Sequence, residues 1–138
     1  DMRIGSRLPY LIGAVGRRIA AHLRLTAQEL RRRFTKLRWQ DPPSFEQYKA
    51  EVEQASRNGW AKDVGRLYKG ITTVASVVVD QNGAPRFGIS GIAIQGQHAP
   101  EQIDRLGIEL RETAAYLSRA LFPLPSSETS KTAILTTS

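Results

Sequence analysis

The residues of this 138-residue chain that could take part in chemistry are few. His22 and His98 lie 76 positions apart, and neither has acidic neighbours at metal-ligand spacing. There is no cysteine, which excludes disulfides and thiolate metal sites. The chain also lacks a phosphate-binding loop, a nucleophile elbow and paired carboxylates suited to acid–base catalysis. We therefore predict a protein that is not an enzyme, with no metal ion and no cofactor.

A helix start rich in small residues is the first candidate binding element. Gly13, Ala14, Val15 and Gly16 open an apolar helical repeat, and no Ser, Thr, Asp or Asn is placed to cap that helix. Uncapped N–H groups at the positive end of a helix attract anions, and small residues would let an anion come close. A tight strand-to-helix contact that requires glycine explains the pattern equally well.

Residues 72–96 predict a β-hairpin whose turn contains Asn82-Gly83. Both flanking runs are apolar or small on both faces, so we expect both faces of the sheet to be covered. A register centred on the turn places six side chains on one face: Thr73, Ala75, Val77, Gly88, Ser90 and Ile92. That face is short of volume at Ala75, Gly88 and Ser90. Either large residues from elsewhere cover it, or it holds a ligand.

Asp63 is a candidate of a different kind. It lies in a short predicted strand, 60–64, just before a loop bounded by Gly65 and Gly70. A carboxylate at this point could accept a hydrogen bond from a ligand hydroxyl or amide group. It could equally hold the loop in place, and the sequence leaves both interpretations open.

Amphipathic helices are predicted to pack around the hairpin and position these residues. The first has an apolar stripe of Val15, Ile19, Ala20 and Leu23, which leaves Arg17, Arg18 and Arg24 outside the stripe. Capping residues predict that two more helices begin at Thr26 and Ser44. Pro100 predicts the start of a long last helix that runs to Leu121.

The composition is that of a globular protein, with 41% hydrophobic and 24% charged residues. The net charge of +7 reflects arginines concentrated in the first 38 residues. We interpret these as solvated helix faces, and a nucleic-acid surface is the alternative. No apolar run is long enough to cross a membrane, so we predict a cytoplasmic protein without membrane contact.

The chain length predicts one domain over residues 1–122, which includes a short strand at 3–8. Residues 123–138 are rich in Ser and Thr and have no periodicity, and we predict a flexible tail there. The chain begins Asp1-Met2-Arg3 rather than with an initiator Met, which indicates a fragment of a longer protein.

Several short motifs occur in an order that resembles a known family. They are Ile4-Gly5-Ser6-Arg7-Leu8-Pro9, Gly13-Ala14-Val15-Gly16-Arg17, Gly59-Trp60, Asp63, Gly70, the run 77–83 and Ile89-Ser90-Gly91. Together they resemble the effector-binding domain of IclR-type bacterial transcriptional regulators. The resemblance implies a GAF-like α+β fold, with an antiparallel sheet flanked by helices on both faces, here truncated at its N-terminal side. It also implies homodimers or homotetramers, and DNA binding only through a winged helix-turn-helix domain that this sequence lacks.

Carried over from the family, the effector site would consist of the backbone amides of Ala14 and Val15 with the side chains of Asp63, Thr73, Ser90 and Ile92. Two positions depart from the pattern. Relatives that bind small keto acids have a hydroxyl where this chain has Ile92, and Val15 is bulkier than the usual residue. Both changes make the pocket more apolar. The resemblance therefore implies a carboxylate effector with an apolar or aromatic body rather than one the size of glyoxylate.

Three functions compete at this point. The first is a sensor domain whose small-molecule effector biases the arrangement of subunits and thereby DNA binding. The second is a ligand-free oligomerisation module whose pocket is filled by its own side chains. The third is a basic fragment that contacts nucleic acid directly.

Overall fold

The computed structural model describes residues 11–124. In chain order its elements are α1 (Gly13–Leu23), α2 (Ala27–Phe34), α3 (Phe45–Asn58), β1 (Ala61–Val64), β2 (Ile71–Val79), β3 (Pro85–Ile94) and α4 (Pro100–Leu121). The predicted strand at 3–8 lies outside the described residues, as does the predicted tail beyond residue 124. No helix between residues 11 and 124 is both long enough and apolar enough to cross a membrane.

Helices α2 and α3 begin where their capping residues predict. The Thr26 hydroxyl accepts a hydrogen bond from the Glu29 N–H at 3.2 Å, and the Ser44 hydroxyl accepts one from the Gln47 N–H at 3.1 Å. Gly59 ends α3 with a φ of 77°, in the left-handed region that glycine tolerates. By contrast, α1 begins after Ile12 without a side-chain cap.

The three strands form an antiparallel sheet in the order β1-β2-β3. The predicted register is confirmed, because Thr73 lies opposite Ile92, Ala75 opposite Ser90 and Val77 opposite Gly88. The turn is held by Asp80, whose Oδ1 accepts from the N–H groups of Asn82 and Ala84 at 2.9 and 3.0 Å. On the other side of β2, Asp63 of β1 lies opposite Thr73.

Helices α1 and α4 pack on opposite faces of this sheet. A Cβ atom added to Gly88 would lie 2.9 Å from Val15 of α1, and one added to Gly91 would lie 3.0 Å from Leu106 of α4. Strand positions three residues apart point to opposite sides of a sheet. The fold is therefore α+β with helices on both faces of an antiparallel sheet, as predicted.

Strand β3 is less covered than the sequence predicted. The side chains of Val74 and Val78 on β2 are buried, but Phe87, Ile92 and Ile94 on β3 are exposed. Within residues 11–124, β3 is an edge strand and pairs only with β2. The prediction of two covered faces is thus right for β2 and wrong for β3.

The core between α1, α2 and α3 contradicts one prediction about the arginines. Its buried members are Leu11, Ala20, Leu30, Phe45, Tyr48 and Val52. Arg17 and Arg18 were expected outside the buried stripe, yet they are 1% and 8% exposed. Helix α1 lies between the sheet and α3, so it buries more than one apolar stripe, and both arginines find acceptors there.

Candidate functional site

The six predicted effector-site residues come from three parts of the fold. Ala14 and Val15 lie in the first turn of α1. Thr73, Ser90 and Ile92 share one face of the β2–β3 pair, and Asp63 lies on the same face of β1. This face is the one on which α1 packs, because Gly88, which lies against Val15, belongs to it.

The first turn of α1, in which Ala14 is buried, has backbone donors without acceptors among residues 11–124. The first intrahelical bond runs from the Gly16 N–H to the Ile12 carbonyl at 3.1 Å. No side chain caps the helix, and no acceptor among residues 11–124 pairs with the N–H groups of Ala14 and Val15. Gly13 has a φ of 72°, and a Cβ there would lie 2.9 Å from Leu67, so the glycine is needed for this close approach.

The small-residue face is partly filled by α1 and partly open. The Val15 methyl groups occupy the space above Gly88. Further along β3, Ser90 is exposed and Ile92 is 73% exposed. The volume missing at Gly88 is therefore taken up by α1, whereas the surface at Ser90 and Ile92 stays open among the described residues.

The carboxylate of Asp63 accepts hydrogen bonds from groups within the protein itself. It is 2% exposed, and its Oδ1 accepts from Arg17 Nη1 at 2.8 Å. Its Oδ2 accepts from the N–H groups of Arg66 and Leu67 at 3.2 and 2.9 Å. Of the two interpretations left open by the sequence, these contacts favour the one in which Asp63 fixes the loop, which in turn places Leu67 against Gly13.

Arg17 is a residue of this region whose role the sequence did not reveal. Its Nε donates to Glu51 at 2.7 Å, and its guanidinium lies 5.2 and 5.7 Å from the ring centres of Trp39 and Tyr48. Burial raises the pKa of the Tyr48 hydroxyl, which donates to the Leu11 carbonyl at 2.7 Å. Helical periodicity could not indicate this role, because it treats arginine as a polar residue.

Within the described part of the chain, neither the cleft beside α3 nor a group of metal ligands includes any of these six residues. A cleft of about 270 Å³ between α3 and β1 is lined by none of them. Within residues 11–124, no three His, Asp or Glu side chains are grouped so as to hold a metal ion. Within the candidate effector site, Ser90 and Ile92 lie on an open surface, whereas Ala14 and Asp63 are buried.

The sequence comparison establishes the class of protein. Residues 1–119 match the family described as bacterial transcriptional regulator IclR C-terminal. The chain belongs to this family of effector-binding domains, which are regulatory and not enzymatic. No curated protein matches the chain significantly.

Solved structures support the same assignment. The Agrobacterium tumefaciens repressor BlcR is 30% identical with a TM-score of 0.71, and the match covers 86% of this chain and 48% of that one. Thermotoga maritima IclR is 25% identical with a TM-score of 0.65, over 88% of this chain and 52% of that one. An IclR transcriptional regulator from Alicyclobacillus acidocaldarius, 24% identical with a TM-score of 0.67, shares the fold over 86% of this chain and 48% of that one. This chain spans about half the length of these relatives.

Proposed function

We propose that this effector-binding domain takes a carboxylate ligand between the first turn of α1 and the open face of β3. The observation that supports the proposal is the position of two backbone donors without an acceptor among residues 11–124, at Ala14 and Val15, on the helix that packs on this sheet face. Backbone N–H groups at a helix start bind anions without requiring a charged side chain.

Each site residue has a role in this proposal. The N–H groups of Ala14 and Val15 donate to the ligand carboxylate, and the Ser90 hydroxyl, which is exposed, donates a further bond. The ligand body lies over Thr73 and Ile92, which are opposite each other in the sheet. Asp63 does not contact the ligand in this proposal. It positions the helix start indirectly, because it bonds to the loop whose Leu67 packs on Gly13.

The apolar side chains favour one subclass of carboxylate. Ile92 is 73% exposed and offers an aliphatic surface to a ligand, and Val15 already narrows the space above Gly88. A two-carbon acid would leave Ile92 uncovered, whereas an aromatic or branched acid would bury it. We therefore expect benzoate-like or branched acids to bind more tightly than glyoxylate.

The ligand is proposed to act on transcription through subunit arrangement. The solved relatives are about twice as long as this chain, and BlcR is described as a repressor. In the complete regulator, DNA binding belongs to the N-terminal winged helix-turn-helix domain, and the effector domains form a homodimer or homotetramer. An effector that prefers one arrangement of the subunits shifts the population of DNA-binding states.

A direct contact between the basic helices and nucleic acid receives less support. Arg17 and Arg18 are buried. Arg32 and Arg33 pair with Glu29 at 2.6 and 3.0 Å, so part of the positive charge of α2 is neutralised.

A ligand-free oligomerisation module is supported by one contact, the packing of Val15 on Gly88.

Thermal unfolding of the chain with a panel of acids tests the proposal. We expect benzoate, phenylacetate or a branched acid to raise the midpoint temperature of unfolding. The Ser90→Ala variant should need about ten times more acid for the same rise. Ser56→Ala, at an exposed serine of α3, is the matched control and should leave it unchanged. If no acid raises the midpoint of the folded chain, the oligomerisation module becomes the better description.

A further inference from the structure

A cleft of about 270 Å³ between α3 and β1 is separate from the proposed effector site. One wall is a polar face of α3 that presents Gln47, Glu51, Gln54 and Asn58, at helical spacings of four, three and four residues. The carboxamide side chains can both donate and accept hydrogen bonds. This wall is suited to a small polar ligand.

Glu51 provides a fixed negative group in the cleft. Its Oε2 accepts from Arg17 Nε at 2.7 Å, and its side chain is 27% exposed. No group among residues 11–124 donates to its other oxygen, Oε1. The buried Arg17 therefore orients the carboxylate and leaves one oxygen able to accept from a ligand ammonium group.

Lys62 provides a positive group in the same cleft. It is exposed on β1, and no carboxylate in the described part of the chain pairs with its ammonium group. The nearby Arg66 is already paired with Asp41 at 3.0 Å. An oriented carboxylate and an unpaired ammonium group in one cleft are complementary to a ligand that carries both charges.

The remaining part of the cleft is apolar and small. Trp60, Ala61 and Ala55 are buried residues of its lining, and Val64 is 42% exposed. The volume of the whole cleft, about 270 Å³, lies just below the range of about 300–1,000 Å³ that is usual for ligand pockets. These dimensions suit a ligand of a few heavy atoms with an apolar side group, and are too small for a nucleotide cofactor.

We propose that this cleft binds a small amino acid with an apolar side chain. The ligand ammonium group donates to Glu51 Oε1, and the ligand carboxylate accepts from Lys62. The ligand side chain packs on Trp60 and Val64, and the carboxamides of α3 bond to its remaining polar groups. This site is distinct from the effector face, because the two share no residue. Arg17 links them, since it donates to Glu51 in the cleft and to Asp63 on the effector face.

Isothermal titration of the chain with three matched probes tests the proposal. The probes are L-leucine, 3-methylbutylamine, which lacks the carboxylate, and 4-methylpentanoate, which lacks the amino group. We expect L-leucine to bind one site per chain, and we expect each of the other probes to bind this site at least about tenfold more weakly. Lys62→Met should weaken L-leucine binding by about tenfold, whereas Lys69→Met, at another exposed lysine, should not.

The outcomes separate this proposal from the one for the effector face. Loss of L-leucine binding in Lys62→Met, but not in Ser90→Ala, assigns the ligand to the cleft. Binding of 4-methylpentanoate that is lost in Ser90→Ala but kept in Lys62→Met belongs to the effector face. The cleft proposal is overturned if L-leucine does not bind the folded chain, or if it binds equally well to Lys62→Met. It is also overturned if 3-methylbutylamine or 4-methylpentanoate, each of which lacks one charged group, binds this cleft as tightly as L-leucine.

Discussion

Arg17 Nη1 and Asp63 Oδ1 lie 2.8 Å apart, and both side chains are almost completely buried, at 1% and 2% exposure. The two residues are 46 positions apart in the chain, so this pair joins α1 to β1. Through Glu51 it also joins α3, and through the Leu67 N–H it positions the loop that packs on the start of α1. The candidate effector site thus depends on a charge pair that contains only one of its predicted residues.

Replacing Arg17 by methionine should strongly destabilise the fold. The change leaves Asp63 buried without its counter-ion, and breaking a buried pair in this way costs about 3–5 kcal/mol. Urea denaturation followed by circular dichroism measures the loss. Arg57→Met, at an exposed position of α3, should cost less than about 0.5 kcal/mol. A loss of under 1 kcal/mol for Arg17→Met would show that the pair contributes little.

His22 should make the stability depend on pH below neutrality. Burial, followed by the charges of Arg18 and Arg24, lowers the pKa of His22 below its ordinary value of 6.5. The unfolded chain therefore binds more protons than the folded one in this window, and stability is lost as the pH falls from about 6.5 through the folded pKa. Its ring nitrogen Nε2 lies 3.0 Å from Arg18 Nη2, so protonation would place two cations together.

Urea midpoints between pH 5 and 8 measure this dependence. His22→Gln should flatten the profile between pH 5 and 6.5, whereas His98→Gln, at an exposed position before α4, should leave it as in the original chain. An identical profile for the His22 variant and the original chain would contradict the prediction.

Gly88→Ala should disturb the packing of α1 on the sheet. The added Cβ would lie 2.9 Å from Val15 Cγ1, which is closer than carbon atoms normally approach, and overpacking of this kind costs about 1–3 kcal/mol. The second change Val15→Ala should recover most of that loss, because it removes the methyl groups in contact. Thermal melts of the original chain, the two single variants and the double variant form a double-mutant cycle, which measures the coupling between the two residues. Additive effects would indicate that the two residues do not share this contact.

Ile92→Ser should change which acids the domain prefers. The side chain is 73% exposed, so the substitution should change stability by less than about 0.5 kcal/mol. It removes the apolar surface proposed to cover the ligand body and adds a hydroxyl next to Thr73. We expect the affinity ratio of glyoxylate to benzoate to rise at least about tenfold. Ile94→Ser, at the end of the same strand, is the control, and an unchanged ratio in the Ile92 variant would place the ligand elsewhere.

Local signals in the sequence predicted most of the fold. Thr26 and Ser44 mark helix starts, Asn82-Gly83 marks the turn, and the register that pairs Ala75 with Ser90 is confirmed. These features depend on residues close together in the chain, so they can be inferred without knowing the packing. The family followed from motifs in a characteristic order, and the comparison confirmed it.

The contents of the candidate site were less predictable. The sequence identified a face short of volume, but only the tertiary structure placed Val15 above Gly88 and left Ile92 exposed. The sequence also left two interpretations open for Asp63. Its contacts with Arg66, Leu67 and Arg17 favour the one in which it fixes the loop. Which groups occupy a surface depends on elements that are distant in the chain.

The sequence by itself determined the helices, the hairpin with its register and the family of this protein, because each follows from short-range patterns. Only the tertiary structure decided that Arg17 is buried and pairs with Asp63 and Glu51. The physical reason is that a buried charge is stable only beside its counter-ions. The partners of Arg17 lie on α3 and β1, and packing alone brings those elements to α1.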